Sequence, residues 1–243
     1  MIERIAERET GYRALATDYD GTIAHDGVVD DETVKALKHA KGKGLRLVMV
    51  TGRELTELFN VFEHTGLFER IVAENGAVLF DPATKAVDQI STPPPPALVE
   101  RLQRASIPLS VGHSIVATVE PYEHQVLEAI RELGLEWHVI FNKGSVMALP
   151  SDMTKATGLA PALAALEVLP ERTVGVGDAE NDQAFLRMCG LAVAVDNALP
   201  AVKEMADVVT AGARGAGVSE LIGRLLDGEF ETFSRKAGTP HLA

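Results

Sequence analysis

Two carboxylates separated by one residue follow a short apolar run near the start of the chain, in the stretch "ALATDYDGT". The side chains of Asp18 and Asp20 can point to the same side once the chain turns, and Gly21 permits that turn and a close approach of the backbone to a ligand. Such an oxygen-rich site attracts a hard divalent cation such as Mg²⁺, which in turn binds phosphate oxygens. Alone, the pattern is more typical of an ordinary acidic turn.

A hydroxyl group and a glycine follow the second apolar run, "LRLVMV". Thr51 and Gly52 stand where the next helix is predicted to begin, and backbone N–H groups at a helix N-terminus can hold an anion. An N-cap followed by a flexible turn explains the same residues equally well. The two interpretations stay open at this point.

Four polar residues follow the later apolar run "RTVGVG", namely Asp178, Glu180, Asn181 and Asp182. Acidic groups this close repel one another unless a cation or a lysine compensates them. Lys155 stands at the predicted start of a helix, where the helix dipole disfavours a cation, so a negative group is expected nearby. Capping of the following helix and a surface ion pair of the lysine are the alternatives.

Alternating strands and helices are predicted to bring these residues together. The runs "ALAT", "LRLVMV", "RIVAE", "RTVGVG" and "LAVAV" are predicted strands, and the segments between them are predicted helices, one of which ends at Gly66. This alternation is typical of an α/β fold with a Rossmann-like, mostly parallel sheet and helices on both faces. Ligands bind beyond the carboxyl ends of the strands in such sheets, so the polar groups are expected to converge on one crevice.

The alternation is interrupted between residues 84 and 150. "SIVATVEP" alternates like a half-buried strand, "YEHQVLEAIRELG" is an amphipathic helix, and "EWHVIF" and "SVMALP" are predicted to form a hairpin around Asn142 and Lys143. These elements predict a small α+β cap inserted into a catalytic core that is formed by residues 1–83 and 151–243.

Composition bounds the classes of function. The 243 residues include 23 Lys plus Arg and 35 Asp plus Glu, a net charge of −12, with no basic cluster that indicates nucleic-acid binding. Hydrophobic residues make up 46%, which indicates a globular protein without a membrane span. The single cysteine excludes an internal disulfide, and "MIERIAERET" lacks the apolar core of a signal peptide, so a cytoplasmic protein is expected. An acidic protein that acts on anions has to supply positive charge locally.

Taken in order, "DYDGT", "TGR", the lysine of "SDMTKATG" and "GDAEND" resemble the four motifs of the haloacid dehalogenase-like hydrolases. "AENGAVLF", the position of the cap and the tail "LAVAVDNALPAVKEMADVVT" resemble the Cof-type branch, which carries an α/β cap. The resemblance extends from Leu15 to Leu225. The cap is similar in length to those of archaeal-type phosphoglycolate phosphatases. One departure is Tyr19, where the family usually has an aliphatic residue or Phe.

The resemblance implies a phosphatase that uses Mg²⁺ and forms a phosphorylated aspartate. Asp18 would attack phosphorus, and Asp20 would protonate the leaving alcohol and then deprotonate the attacking water. The implied contacts are Thr51, Gly52 and Lys155 for the phosphate; Asp18, Asp20 through its backbone carbonyl, Asp178 and Asp182 for Mg²⁺; and Arg53, Asn75, Gly76 and Asn181 for the substrate, with Asn142 and Lys143 of the cap hairpin as further candidates.

The expected substrate is a small phosphorylated metabolite of the phosphoglycolate or sugar-phosphate class, with no nucleic-acid or membrane partner; the assembly is left open as a monomer or a dimer. A phosphomutase of the same fold is the alternative enzyme, because eukaryotic-type phosphomannomutases share the nucleophile chemistry. A signalling receiver domain also phosphorylates an Asp beyond a strand, but it lacks a cap. A non-catalytic sensor of phosphorylated ligands would keep the binding site, whereas here every chemical group of the reaction is present.

Overall fold

The structure is a computed structural model that describes residues 11–142 and 144–230. Numbered along the chain, the strands are β1 (Ala14–Thr17), β2 (Arg46–Val50), β3 (Arg70–Ala73), β4 (Val78–Phe80), β5 (Val87–Gln89), β6 (Ser110–Val111), β7 (Val116–Val119), β8 (Trp137–Asn142), β9 (Ser145–Pro150), β10 (Thr173–Gly177), β11 (Leu191–Ala194) and β12 (Val208–Val209). The helices are α1 (Asp31–Gly42), α2 (Leu55–Val61), α3 (Pro96–Arg104), α4 (Glu123–Glu132), α5 (Lys155–Ala165), α6 (Gln183–Met188), α7 (Pro200–Met205) and α8 (Arg214–Leu226). Within the described ranges, no helix has both the length and the apolar character that crossing a membrane requires.

An eight-stranded sheet forms the centre of the larger unit, in the order β12-β11-β10-β1-β2-β3-β4-β5. The strands from β12 to β3 are parallel, whereas β4 and β5 add an antiparallel edge. Helix α1 packs against α8, and α5 packs against α6 and β3. Parallel pairing requires crossover connections of this kind. The predicted α/β fold with a Rossmann-like, mostly parallel sheet is confirmed.

The central strands β1 and β10 are buried along their whole length. A strand covered on both faces has a continuous run of apolar and small residues instead of an alternating pattern, which explains "ALAT" and "TVGVG". These two strands are neighbours, with Thr17 opposite Val176. Because the carboxyl ends of parallel strands meet at one edge of the sheet, their pairing places Asp18 close to Asp178.

A four-stranded antiparallel sheet forms the cap, in the order β6-β7-β9-β8. Strands β8 and β9 form the hairpin that the sequence predicts. Helices α3 and α4 cover the sheet with Leu98, Leu102, Val126 and Ile130, which belong to a hydrophobic cluster separate from that of the large sheet. The cap is therefore a small α+β unit with its own core. Lys143, one of the candidate residues, lies outside the described residues.

The start of the cap differs from the expectation at residue 84. Residues 87–89 form β5, which pairs with β4 and extends the antiparallel edge of the large sheet. A hairpin adds its second strand to the same sheet as the first, so this segment belongs with the core. We propose that the cap begins after Gln89 and ends at Pro150, the last residue of β9.

The helix that follows β2 is shorter than predicted. The sequence predicts that this helix ends at Gly66, but α2 ends at Val61. The next residue, Phe62, has an extended backbone with φ −136° and ψ 100°, and its side chain is buried. Its ring packs edge-on against those of Tyr19 and Phe68. The chain therefore leaves the helix at Phe62, and the extended backbone there buries the ring.

Helix α5 approaches the turn after β3 so closely that two glycines face each other. A Cβ atom at Gly76 would overlap the carbonyl oxygen of Thr154, and one at Gly158 would overlap Val72 and lie 2.6 Å from Gly76 Cα. Gly76 also has a φ of +106°, which disfavours any side chain. This contact sets the position of α5, whose first residue is Lys155.

Gly158→Ala is expected to destabilise the protein by about 1–3 kcal/mol, because the added methyl group overlaps backbone that cannot move aside. Gly223→Ala, within α8, is the matched control, since a Cβ atom there has nothing within 4 Å. The control is expected to gain about 0.5–1 kcal/mol from higher helix propensity. Denaturant unfolding measures both changes. Equal stabilities of the two variants would contradict the close contact.

Candidate active site

The ends of β1 and β10 meet around a cluster of buried carboxylates. Asp18 follows β1, Asp178 follows β10, and Asp182 ends the short 3-10 turn that comes next. One oxygen of each carboxylate lies within 4.8 Å of the others, and all three residues are buried. The structure thus brings Asp18, which follows the first apolar run, next to Asp178 and Asp182, which follow the run "RTVGVG".

Lys155, the first residue of α5, brings positive charge into this cluster. Its Nζ lies 2.6 Å from Asp18 Oδ1 and 2.6 Å from Asp182 Oδ1, and its side chain is 1% exposed. Burial acts to lower the pKa of the ammonium group, but the two carboxylates outweigh it and raise the pKa above its ordinary value. The negative groups expected beside this lysine are therefore Asp18 and Asp182.

Backbone groups also orient Asp182. Its Oδ2 accepts hydrogen bonds from the N–H groups of Asp178, at 2.8 Å, and Ala179, at 2.9 Å. A Cβ atom at Gly177 would lie 2.6 Å from this oxygen, so the glycine leaves the space that the carboxylate occupies. Since Lys155 donates to Oδ1, both oxygens of Asp182 already have partners within the protein. Asp182 is therefore better suited to hold Lys155 and the backbone in place than to act as a main ligand of a bound group.

The cluster carries more negative than positive charge. Burial raises the pKa of Asp18 to about 8, Asp182 and Asp178 add to this shift, and Lys155 opposes it. A further cation would neutralise the excess negative charge. Because every carboxylate donor is a hard oxygen, the residues present fit a divalent metal ion of the Mg²⁺ type.

An arginine holds Asp20. The two oxygens of Asp20 accept hydrogen bonds from Arg53, 2.6 Å from Nε and 2.8 Å from Nη2. The backbone N–H of Arg53 donates to Oγ1 of the buried Thr51, at 3.1 Å. The guanidinium carbon lies 5.5 Å from the centre of the Tyr19 ring, and the Tyr19 hydroxyl donates to the Gly27 carbonyl at 2.8 Å. The unusual Tyr19 thus supports the arginine that holds Asp20.

A cavity of about 450 Å³ lies between the cap and the ends of β1 and β2. On the core side, its wall includes two acids, a glycine and an arginine that the sequence predicts as site residues. On the cap side, its wall includes hydroxyl, amide and apolar groups. These lining residues include Asp18, Asp20, Gly52, Arg53, Ser110 and Asn142. The volume is that of a site for a small molecule.

Three candidate substrate contacts, Asn75, Gly76 and Asn181, do not line the cavity. Asn75 Oδ1 accepts a hydrogen bond from Asn181 Nδ2 at 2.9 Å, and Asn75 Nδ2 lies 3.3 Å from Met147 Sδ of the cap. Gly76 packs against the start of α5. The observed contacts of these residues are with the protein itself, and substrate contacts for them stay a prediction.

Sequence reasoning gives no role to Glu74, yet this core residue binds the cap. It is fully buried with a φ of +50°, and its carboxylate accepts hydrogen bonds from the N–H groups of His113, Ser114 and Ile115 at 2.9, 2.8 and 3.2 Å. A Cβ atom at Gly112 would lie 2.7 Å from Glu74 Oε1. The available sequence signal is a lone acid directly after the apolar run "RIVA".

Two further polar side chains stabilise the loop after β1. Thr22 Oγ1 donates a hydrogen bond to Asp178 Oδ1 at 3.1 Å. Asn197 Nδ2 donates to the Gly21 carbonyl at 2.9 Å, and its Oδ1 accepts from the N–H of Arg214 at 2.7 Å. Both residues fall within stretches that carry the family resemblance, but only these contacts in space show what they do.

A family model described as haloacid dehalogenase-like hydrolase matches residues 15–106 and 112–222, so the chain belongs to the haloacid dehalogenase-like hydrolases. It is 32% identical over 227 residues to a phosphoglycolate phosphatase of Methanothermobacter thermautotrophicus, covering 88% of this chain and 99% of that protein. It is 25% identical over 245 residues to a 5-amino-6-(5-phospho-D-ribitylamino)uracil phosphatase of Bacillus subtilis, covering 90% and 97%. A haloacid dehalogenase-like hydrolase from Bacteroides thetaiotaomicron has a similar crystal structure, with a TM-score of 0.75, 19% identity and coverage of 88% and 99%. The predicted family, and with it the prediction of an enzyme, is confirmed.

Lys155→Met is expected to destabilise the protein by about 3–5 kcal/mol, because it leaves Asp18 and Asp182 buried without a positive partner. Mg²⁺ is expected to restore part of the loss, since it supplies a cation to the folded state alone. Lys35→Met is the matched control, because the ion pair of Lys35 with Glu32 is exposed and little change is expected. Denaturant unfolding with Mg²⁺ and with EDTA measures these effects. A loss no larger than that of the control would contradict the inferred charge balance.

Proposed function

We propose that this chain is a Mg²⁺-dependent phosphatase that hydrolyses a small phosphorylated metabolite, of the phosphoglycolate or sugar-phosphate class, through a phosphorylated Asp18. The observation that carries this proposal is the contact of 2.6 Å between the buried Asp18 and Lys155, beside two more carboxylates and at the wall of a cavity for a small molecule. The relatives named as phosphatases of phosphoglycolate and of a phosphorylated ribitylaminouracil support the substrate class.

In this proposal the carboxylates of Asp18 and Asp178 hold the metal ion, with Asp182 beside them and the backbone carbonyl of Asp20 as a further ligand. When bound, Mg²⁺ supplies positive charge that neutralises the non-bridging oxygens of the phosphoryl group. Lys155 supplies the second positive charge. An acidic protein thereby presents a locally cationic site to an anionic substrate.

In the first step, a carboxylate oxygen of Asp18 attacks phosphorus, and the bond between phosphorus and the leaving oxygen breaks. Lys155, the Thr51 hydroxyl and the Gly52 N–H bind the non-bridging oxygens and orient the phosphoryl group in line with the attack. Asp20 donates a proton to the leaving oxygen. Since both oxygens of Asp20 accept hydrogen bonds from Arg53, the leaving group has to replace one of these bonds.

In the second step, a water molecule attacks the phosphorus on Asp18. Asp20 accepts a proton from this water, and the bond between phosphorus and the Asp18 oxygen breaks. Inorganic phosphate leaves the site, and the carboxylate of Asp18 is restored. Asp20 can act in both steps because it lies outside the charge cluster, where Arg53 holds it and the Tyr19 ring supports Arg53. The nucleophile and the proton donor are thus two residues apart in sequence but have different partners.

Asp18→Asn is expected to abolish Mg²⁺-dependent hydrolysis of p-nitrophenyl phosphate, because the amide cannot form the phosphorylated intermediate. Asp20→Asn is expected to slow hydrolysis about 10²–10⁴-fold. Absorbance of released p-nitrophenolate measures turnover, with EDTA-treated wild type for comparison. Asp26→Asn, with a side chain that is 93% exposed, is the matched control and is expected to keep wild-type turnover. Unchanged turnover in Asp18→Asn would contradict the proposed mechanism.

A substrate screen separates the proposed phosphatase from a phosphomutase. Phosphoglycolate, hexose phosphates, disaccharide phosphates and nucleotides are each incubated with the enzyme and Mg²⁺, with EDTA controls. A phosphatase is expected to release inorganic phosphate as fast as it consumes the ester, because water takes the phosphoryl group. Conversion of a sugar phosphate to its isomer or to a bisphosphate, without inorganic phosphate, would indicate the mutase instead.

A further inference from the structure

Two glutamates that follow β2 line the cavity without a part in the proposed reaction. Glu54 is the N-cap residue of α2, and Glu57 belongs to the first turn of that helix. Glu54 is 8% exposed, and its side chain makes no capping hydrogen bond. Neither residue belongs to the carboxylate cluster around Asp18 or to the pair of Asp20 and Arg53. Their carboxylates therefore need another explanation.

One oxygen of the Glu54 carboxylate has no partner. Among the described residues, nothing forms a hydrogen bond with the buried Oε1. Burial raises the pKa of Glu54 above its ordinary value, and the hydroxyl of Ser110 on the cap opposes this shift. Buried polar atoms in folded proteins almost always have a hydrogen-bond partner. Because Glu54 lines the cavity, a rotation of its carboxylate would present this unpaired acceptor to a donor group of a ligand bound there.

The charges around Glu54 favour the same kind of ligand. Arg53 is the only basic side chain among the described residues that line the cavity, and its Nε and Nη2 both donate to Asp20. A ligand group that ends in a carboxylate would meet like charge from Glu54 and Glu57. A hydroxyl or an ammonium group would instead donate a hydrogen bond to the unpaired oxygen.

We propose that Glu54 is a specificity-determining residue that selects substrates whose leaving group carries a hydroxyl or ammonium donor, and rejects those whose leaving group ends in a carboxylate. This inference rests on the proposed phosphatase function and narrows its substrate class: polyol and sugar phosphates are preferred over phosphoglycolate. Glu57, at an exposed position of the same helix, adds negative charge to the same wall. A site that hydrogen-bonds a substrate donor rejects analogues without that donor strongly.

Matched pairs of phosphate monoesters test this inference, because the members of a pair differ only in a terminal hydroxymethyl group or carboxylate. The pairs are 2-hydroxyethyl phosphate with phosphoglycolate, glycerol 3-phosphate with 3-phosphoglycerate, and erythritol 4-phosphate with 4-phosphoerythronate. Phosphoethanolamine tests the ammonium group. With Mg²⁺, the wild type is expected to have a kcat/KM at least about tenfold higher for the donor member. Equal or faster hydrolysis of the carboxylate members would overturn the inference.

Glu54→Gln tests whether this residue is responsible. The variant keeps the shape of the side chain but removes its charge, so the preference for the donor member is expected to fall at least about tenfold, mainly through KM. Glu63→Gln, whose side chain is 87% exposed beyond the end of α2, is the matched control and is expected to keep the wild-type ratio. An unchanged ratio in Glu54→Gln would contradict the proposed role. Glu57→Gln gives a second variant, with a smaller shift in the same direction.

Binding measurements separate a failure of this inference from a failure of the phosphatase proposal. Calorimetry on Asp18→Asn, which is not expected to consume the esters, gives the dissociation constants of the same pairs with Mg²⁺ present. If no ester is hydrolysed but the donor members bind more tightly, the phosphatase proposal is contradicted and the role of Glu54 is supported. If the esters are hydrolysed but the carboxylate members bind at least as tightly, the role of Glu54 is overturned and the phosphatase proposal stands.

Discussion

Three carboxylates and one ammonium group share a buried volume at the ends of β1 and β10, and the surrounding architecture holds them there. Charged groups in a protein interior are tolerated only where geometry and hydrogen bonds compensate for the water they have lost. Parallel pairing sets the separation of Asp18 and Asp178, and the contact of Gly76 with Gly158 sets the position of Lys155. The sheet is therefore at once a hydrophobic core and the frame that keeps these charges together.

The residues of "DYDGT" separate two chemical tasks over a very short length of chain. Asp18 faces the buried cluster and Lys155, whereas Asp20 faces Arg53. Tyr19, between them, is buried under the arginine and packs against it. The two carboxylates thus have different electrostatic surroundings, as a nucleophile and a proton donor require in the proposed reaction.

The site residues that could be predicted from the sequence are charged residues at positions that disfavour an unpaired charge. Asp18 and Asp178 end apolar strands, and Lys155 opposes the dipole of its own helix, so each requires a partner from elsewhere. Glu74 also follows an apolar strand, but this signal does not reveal its role, because its partners are backbone N–H groups far along the chain, and any residue type can supply those. The role of Glu54 could not be predicted from the sequence either, since a glutamate at a helix N-terminus is normal in any protein. Contacts between distant segments, and not local preferences, decide the roles of these two residues.

The hydrogen bonds of Glu74 to the cap have a consequence for how substrate range diverges among related enzymes. The residues that Glu74 binds lie between Val111 and Val116, in the turn that joins β6 to β7, and Ser110 and Ile115 of this hairpin line the cavity. A substitution at position 74 would therefore shift one wall of the cavity while every residue in that wall stays the same. Two homologues with identical lining residues can differ in the substrates they accept, and a comparison restricted to those residues would miss the cause.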